Sequence, residues 1–231
     1  MILTRKYYQY LLSPQSLFAG IAMLVFLFTT LNCFAADDGN IPSETIIGRL
    51  NTDNGFSWRY AYDIEMRDDQ VRVKVSIHLI PVKGVTKLEL DRAKVIWEEG
   101  IERIWSKRFA IRTATETNHP IVVDVCFSNL RAHHDVVVRP GAGRTDELNW
   151  NILDSATLVA HEFGHMIGCY DEYRGGAVSP FTRRIDVTSI MTSNPTTGRT
   201  DPRHYAEFVR WFELKNGMKP KNVKKVSCVA M

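Results

Sequence analysis

"QVRVKVSIHLI" (Gln70–Ile80) alternates apolar and polar residues along most of its length. Val71, Val73, Val75, Ile77 and Leu79 fall on one side, and Arg72, Lys74, Ser76 and His78 on the other. A period of two in β-branched residues is a strand with one dry and one wet face, so another element must cover the dry face. The next periodic stretch changes its period. After a break at "KGVT", Ala93, Ile96, Trp97, Ile101, Ile104 and Trp105 recur at steps of three and four, which predicts an amphipathic helix over about 88–107. Gly100 inside it costs helix propensity and points to a close approach to the sheet. "IVVDVCF" (121–127) and "HDVVVRP" (134–140) read as further strands, and "GAGRTDELN" as a loop. A second helix is expected from about Asp154, with Asp154 or Ser155 as N-cap. Its apolar stripe is Leu153, Ala156, Ala160, Phe163 and Ile167. "PRHYAEFVRWFELKNG" (202–217) reads as a last helix closed by Gly217. The order of strand, helix, strands, helix, irregular segment and helix describes one α/β or α+β domain.

Composition sets the bounds. The 231 residues, 45% hydrophobic and 24% charged, allow one folded domain with appendages and exclude global disorder. Arg5 and Lys6 precede an apolar run, Leu17–Ala35, and no acidic residue occurs before Asp37. That order predicts a secretory signal peptide over 1–35, cut at Ala35-Ala36, with an uncleaved membrane anchor as the alternative. Leu31 and Asn32 make a poor lipoprotein box before Cys33. Losing the two charges of Arg5 and Lys6 takes the formal charge from +3 to +1. A near-neutral mature chain gives no case for a nucleic-acid partner. The one basic cluster, Lys215, Lys219, Lys221, Lys224 and Lys225, reads as a solvated tail. The expected divisions are therefore a signal peptide (1–35), a loose N-terminal segment (36–57), the main domain (58–217) and a basic tail (218–231). Cys126, Cys169 and Cys228 remain after cleavage; one disulfide plus one thiol, or three buried thiols, are both open, and none has C-x-x-C spacing.

The chemistry concentrates in "HEFGHMIGCYDEY" (161–173). On a helix, residues four apart share a face, about 5–6 Å apart at their β-carbons. His161 and His165 can then reach one zinc ion, and Glu162 sits where a general base for a water molecule is needed. A catalytic zinc takes a third protein ligand. Gly168 can end the helix at positive φ, and the returning chain brings Asp171 back as that ligand. Glu207 on the last helix is a rival third ligand in a thermolysin-like arrangement; the short Gly168–Asp171 return argues against it.

"HEFGHMIGCYD" resembles the extended zinc signature of the metzincin metallopeptidases, H-E-x-x-H-x-x-G-x-x-H/D, in its aspartate form. It is most similar to the snapalysins and to the bacterial immunoglobulin-A-cleaving metallopeptidases, whose motif also continues as Asp-Glu-Tyr. Met191 in "TSIMTSNP" lies twenty residues beyond Asp171, where metzincins place a methionine floor under the ligands. The resemblance covers about 155–192. It implies an α+β, sandwich-like zincin domain with a twisted mixed sheet, an active-site helix and a Met-turn, with 134–140 as the edge strand that pairs with extended substrate. It also implies one zinc per chain on His161, His165 and Asp171, and metal-assisted peptide hydrolysis with Glu162 as base. The chain departs from the pattern at Thr192 and Ser193, where some metzincins keep a tyrosine. Tyr173, Arg199, His204 and Tyr205 are the substitutes for stabilising a transition state, and Glu172 is expected behind the ligands or in solvent rather than as a ligand. The expected protein is a secreted or periplasmic bacterial endopeptidase acting on protein, peptide or cell-wall peptide. The alternatives are a peptidoglycan-directed amidase or antibacterial toxin with the same chemistry, and a non-catalytic zinc-stabilised binding module.

Overall fold

Residues 40–113, 116–195, 198–216 and 227–231 are described in the computed structural model, and the stretch at 70–80 forms the strand around which its sheet is laid. In chain order the elements are β1 (Ile41–Asn51), β2 (Ser57–Arg67), β3 (Gln70–Pro81), α1 (Lys87–Trp105), β4 (Phe109–Arg112), β5 (Asn118–Phe127), β6 (His134–Arg139), β7 (Asn149–Asn151), α2 (Ala156–Met166), a 3₁₀ turn (Pro202–Tyr205), α3 (Ala206–Lys215) and β8 (Ser227–Ala230). This is an α+β domain with a mixed sheet. β5 runs parallel along one side of β3. The other side is shared: β2 pairs antiparallel with the first half of β3, and β6 pairs parallel with its second half. β1 extends the sheet beyond β2, and β4 and β8 extend it beyond β5.

Local chemistry explains these joins. β2 and β3 are linked by Asp68 and Asp69, both at positive φ (51° and 59°), the conformation a two-residue hairpin needs and one that short polar side chains tolerate. Where β2 parts from β3, His134 on β6 donates from Nε2 to the Ala61 carbonyl (3.0 Å). Burial pushes the His134 imidazole down to about 4, so the ring stays neutral and fits the dry site. α1 starts with a capping box in which Thr86 and Glu89 bond each other's backbone N–H.

Both long helices lie over the dry face. Trp97 and Trp105 of α1 are buried and donate to the Asp154 and Ala160 carbonyls at 3.1 and 2.8 Å, tying α1 to the helix that bears the histidines. A β-carbon on Gly100 would lie 2.4 Å from the Ala156 β-carbon. Gly100 therefore lets two helices touch, rather than bringing a helix onto the sheet as its position suggested.

Several expectations change. Residues 41–51 form β1, paired along its length with β2, so the loose lead-in is a strand. The compact unit runs from Gly39 to Met231, wider than 58–217 at both ends. Ser227–Ala230 closes on β4 as β8 instead of trailing in solvent. The Lys215 ammonium pairs with the Glu44 carboxylate; Lys219, Lys221, Lys224, Lys225 and Gly217 lie outside the described residues. β6 is not an open edge, because β7 pairs with its C-terminal half. Ile96 and Leu153 are 55% and 70% exposed, outside the stripes assigned to them. Cys126 and Cys169 are both free thiols, and any bridge among the three mature cysteines would need one of them. Residues 1–35 lie outside the described residues. Among the described residues, no helix is long and apolar enough to cross a membrane.

Candidate metal centre and cleft

Of the two candidate N-caps for α2, Ser155 does the work: its hydroxyl accepts from Leu158 N–H at 3.2 Å. The helix is buried on every side from Val159 to Met166. Its C-terminus is closed by a pair of bonds, Gly168 N–H to His165 O (3.1 Å) and Cys169 N–H to Gly164 O (2.9 Å). This is the Schellman pattern, and it requires the positive φ of Gly168 (97°). The reversed chain brings Asp171 back over the helix. Its Oδ1 lies 3.3 Å from Nε2 of His161 and 3.3 Å from Nε2 of His165. Asp171 Oδ2 accepts from Ala177 N–H at 2.6 Å, which fixes the carboxylate plane.

The far sides of both rings are also fixed. His161 Nδ1 donates to the Ile190 carbonyl (2.9 Å) and His165 Nδ1 to the Cys169 carbonyl (3.0 Å). In the neutral tautomers these bonds select, each Nε2 lone pair points inward, toward Asp171 Oδ1. Oδ1 is buried and has no hydrogen-bond partner; the two Nε2 atoms at 3.3 Å are within ion-pair range. Three facing electron pairs in a dry site repel one another unless a cation or a proton sits among them. One donor atom from each of His161, His165 and Asp171 lies within 4.8 Å of the others, so the three residues fit a single small cation. A proton can stand in for it. Burial opposes an imidazolium at His165, but the Asp171 carboxylate outweighs burial and raises its pKa to about 9. Burial also opposes the Asp171 carboxylate, and the two imidazoles hold it well below the usual range. Metal entry must therefore displace a proton, and affinity should weaken as pH falls.

Met191, fully buried, packs against the helix that bears the histidines. A β-carbon on Gly164 would come within 2.5 Å of its sulfur and 3.0 Å of the Trp105 ring, so a glycine at this turn lets the methionine seat against the helix. Gly164→Ala should cost about 1–3 kcal/mol by overpacking, read as a lower thermal midpoint. An unchanged midpoint would show that Met191 can move aside. The same turn supplies the Ile190 carbonyl to His161, and the Met191 carbonyl accepts from Glu172 N–H at 2.8 Å.

Glu172 lies behind the trio, held by Arg203 through a two-pronged pair at 2.6 and 2.7 Å, with His204 Nε2 3.5 Å away. Burial would raise its pKa, yet Arg203 and His204 hold the carboxyl well below the usual range. Asp186, bonded by Thr188 and by Arg203, is held down to about 2. A folded-state pKa below the unfolded value contributes stability that is present above the unfolded pKa and is lost as pH falls toward the folded one. Starting from ordinary values of 4.5 and 3.8, the loss should fall below about pH 4.5. Thermal midpoints measured from pH 6 to 2.5 should drop in that window, and Glu172→Gln should flatten the drop. An equally steep drop in the variant would remove Glu172 from this role.

The trio opens onto a cleft of about 370 Å³, which His161, Glu162, His165, Asp171 and Tyr173 line together with Trp58, Arg144 and Glu147. Glu162 is buried at the cleft wall; burial, ahead of the opposing pull of His165 and His161, raises its pKa. Tyr173 is pushed up to about 12 by burial and by the Asp171 charge, so its hydroxyl stays protonated and can donate. The other three substitutes do not line the cleft. Arg199 is tied to Asp186 at 2.8 Å, His204 faces Glu172 and Ser189, and the Tyr205 hydroxyl donates to the Trp105 carbonyl at 2.9 Å in the core. Their sequence positions were compatible with the site, but packing turns each one away from it. Glu207 stands beside Tyr62 and Arg210 and is not among the converging donors. Trp58 was missed. It donates from Nε1 to the His165 carbonyl (3.1 Å) and meets the His165 ring edge-on, with centroids 5.2 Å apart. Its sequence signal was the alternation Trp58, Tyr60, Tyr62, Ile64, Met66, a strand pattern that begins at the cleft. In comparisons with known proteins, no family model, no curated protein and no solved structure matches this chain.

Proposed function

We propose that this chain is an exported zinc-dependent endopeptidase with His161, His165 and Asp171 as the metal ligands and Glu162 as general base. One observation carries the reading: a buried carboxylate oxygen with no hydrogen-bond partner faces two inward-turned imidazole nitrogens, at the wall of a cleft that also holds Glu162. Order and spacing support it, since His161, Glu162, His165, Gly168, Asp171 and Met191 resemble the metzincin series. A zinc ion there would supply Lewis acidity, polarising a carbonyl and making water easier to deprotonate. The chain's own residues do the rest. Glu162, with its raised pKa, accepts a proton from the attacking water and passes it to the leaving nitrogen. Tyr173, protonated and on the cleft wall, donates a hydrogen bond to the developing oxyanion. Gly168 and Ala177 hold Asp171 in register, and Met191 supports the ligand helix. The signal-like order of residues in 1–35 supports the exported part of this reading.

The test uses residues 36–231 incubated with casein and, separately, with isolated cell wall, each with chelator and after zinc is restored. Casein cleavage that chelator stops and zinc restores is the expected result. Release of fragments from cell wall alone would transfer the chemistry to a peptidoglycan substrate. No hydrolysis of either by zinc-loaded protein would leave a non-catalytic module.

A further inference from the structure

The loop between β6 and β7 is pinned to the start of the ligand helix. Asn151, 3% exposed, donates from Nδ2 to the Arg144 carbonyl (3.4 Å) and to Thr145 Oγ1 (3.1 Å). Thr145 Oγ1 and Asn151 N–H both donate to Asp154 Oδ2, at 2.8 and 2.6 Å. A β-carbon on Gly143 would lie 2.9 Å from Asn151 Oδ1, so the backbone is drawn close to this buried amide. Asp146 is used up locally, its Oδ1 accepting from Leu148 N–H and Asn149 Nδ2.

Two charged side chains on this loop are left over. Arg144 and Glu147 both line the cleft. Among the described residues neither side chain makes a hydrogen bond or an ion pair, although they are opposite in charge and only three positions apart. The Arg144 guanidinium is near enough to the Tyr173 hydroxyl to lower its pKa, and Glu147 is near enough to Glu162 to raise its pKa. A fixed backbone that carries an unpaired guanidinium at the rim of a reaction cleft is arranged to meet an anion on the ligand, and a planar guanidinium matches a carboxylate in shape. Glu147, which lines the same cleft, adds to the negative field of Glu162 and repels such a group.

We propose that Arg144 recognises a carboxylate on the substrate, so that the cleft prefers an acidic residue at the position that meets Arg144 and disfavours one at the position that meets Glu147. The proposal rests on the peptidase reading for its substrate but not for its test. The inactive Glu162→Gln protein, loaded with zinc, is titrated calorimetrically with extended octapeptides carrying one glutamate at successive positions and with their glutamine counterparts. One glutamate position should bind on the order of fivefold tighter than its glutamine counterpart, as a half-exposed ion pair allows. Adding Arg144→Ala should bring that ratio to about one, and Arg144→Glu should invert it, with zinc content unchanged as the check on folding. Adding Glu147→Gln should relieve the rejection at the position that meets Glu147. Equal binding of all peptides, or a preference that survives Arg144→Ala, overturns the proposal. Casein hydrolysis by the parent protein decides the peptidase reading separately: a chain that binds glutamate peptides through Arg144 but cleaves nothing keeps the recognition and loses the enzyme.

Discussion

Glu162→Gln is expected to keep its metal and lose its turnover. The amide matches the carboxylate in size, so the buried wall between the two histidines stays packed, and Glu162 is not one of the three converging donors. What would disappear is the proposed base that takes and returns the proton, a contribution on the order of 10²–10⁴ in rate. kcat for a casein-derived peptide should fall by about that factor with KM little changed, because the side chain acts in the transition state. Zinc content should stay at one per chain. Hydrolysis at the parent rate would move the base elsewhere in the cleft, and loss of zinc would mean that Glu162 is a ligand.

The second large effect is expected at Asp171. Replacing it with alanine removes one of three donors and leaves Ala177 N–H without its 2.6 Å acceptor. It also leaves two buried imidazoles facing an empty corner. Substitutions of groups that merely orient metal ligands cost about 10–100-fold in affinity, so loss of a ligand should exceed 100-fold. A competition titration against a chromophoric chelator reads this directly. The thermal midpoint offers a second measure: zinc should raise it in the parent chain and leave Asp171→Ala nearly unmoved, since a ligand stabilises only the state it binds. Equal zinc affinity in the variant would remove Asp171 from the site.

The sequence made the convergence of the candidate site residues more legible than the edges of the fold. His161, Glu162, His165, Gly168 and Asp171 are close in sequence, and helix geometry alone brings them together once a glycine reverses the chain. β3, α1 and α2 were readable for a similar reason: their periodicity is local. β1 was not. Its apolar residues are sparse, with Ile47 exposed, and its order comes from pairing with β2, a partner the residues of 41–51 do not announce. β4 and β8, at four residues each, are too short to show a period and are defined by each other. The same limit applied to Arg199, His204 and Tyr205. Distance along the chain could bring them near the site, but only packing decides where a side chain points. Trp58 and Arg144 reach the cleft from segments about 100 and about 20 residues before His161; the alternation that begins at Trp58 marks a strand, but no local pattern says that this strand and the Arg144 loop end at the cleft. The cap of α1 was legible after all, as Thr86 followed three residues later by Glu89.

The most direct measurement is zinc K-edge X-ray absorption on purified, zinc-saturated protein, with total metal counted on the same sample. One zinc per chain, in a shell of nitrogen and oxygen at about 2.0–2.1 Å with imidazole scattering, is the result this reading of the site requires. A chain that retains no zinc after dialysis, or a shell containing sulfur at about 2.3 Å, would contradict it.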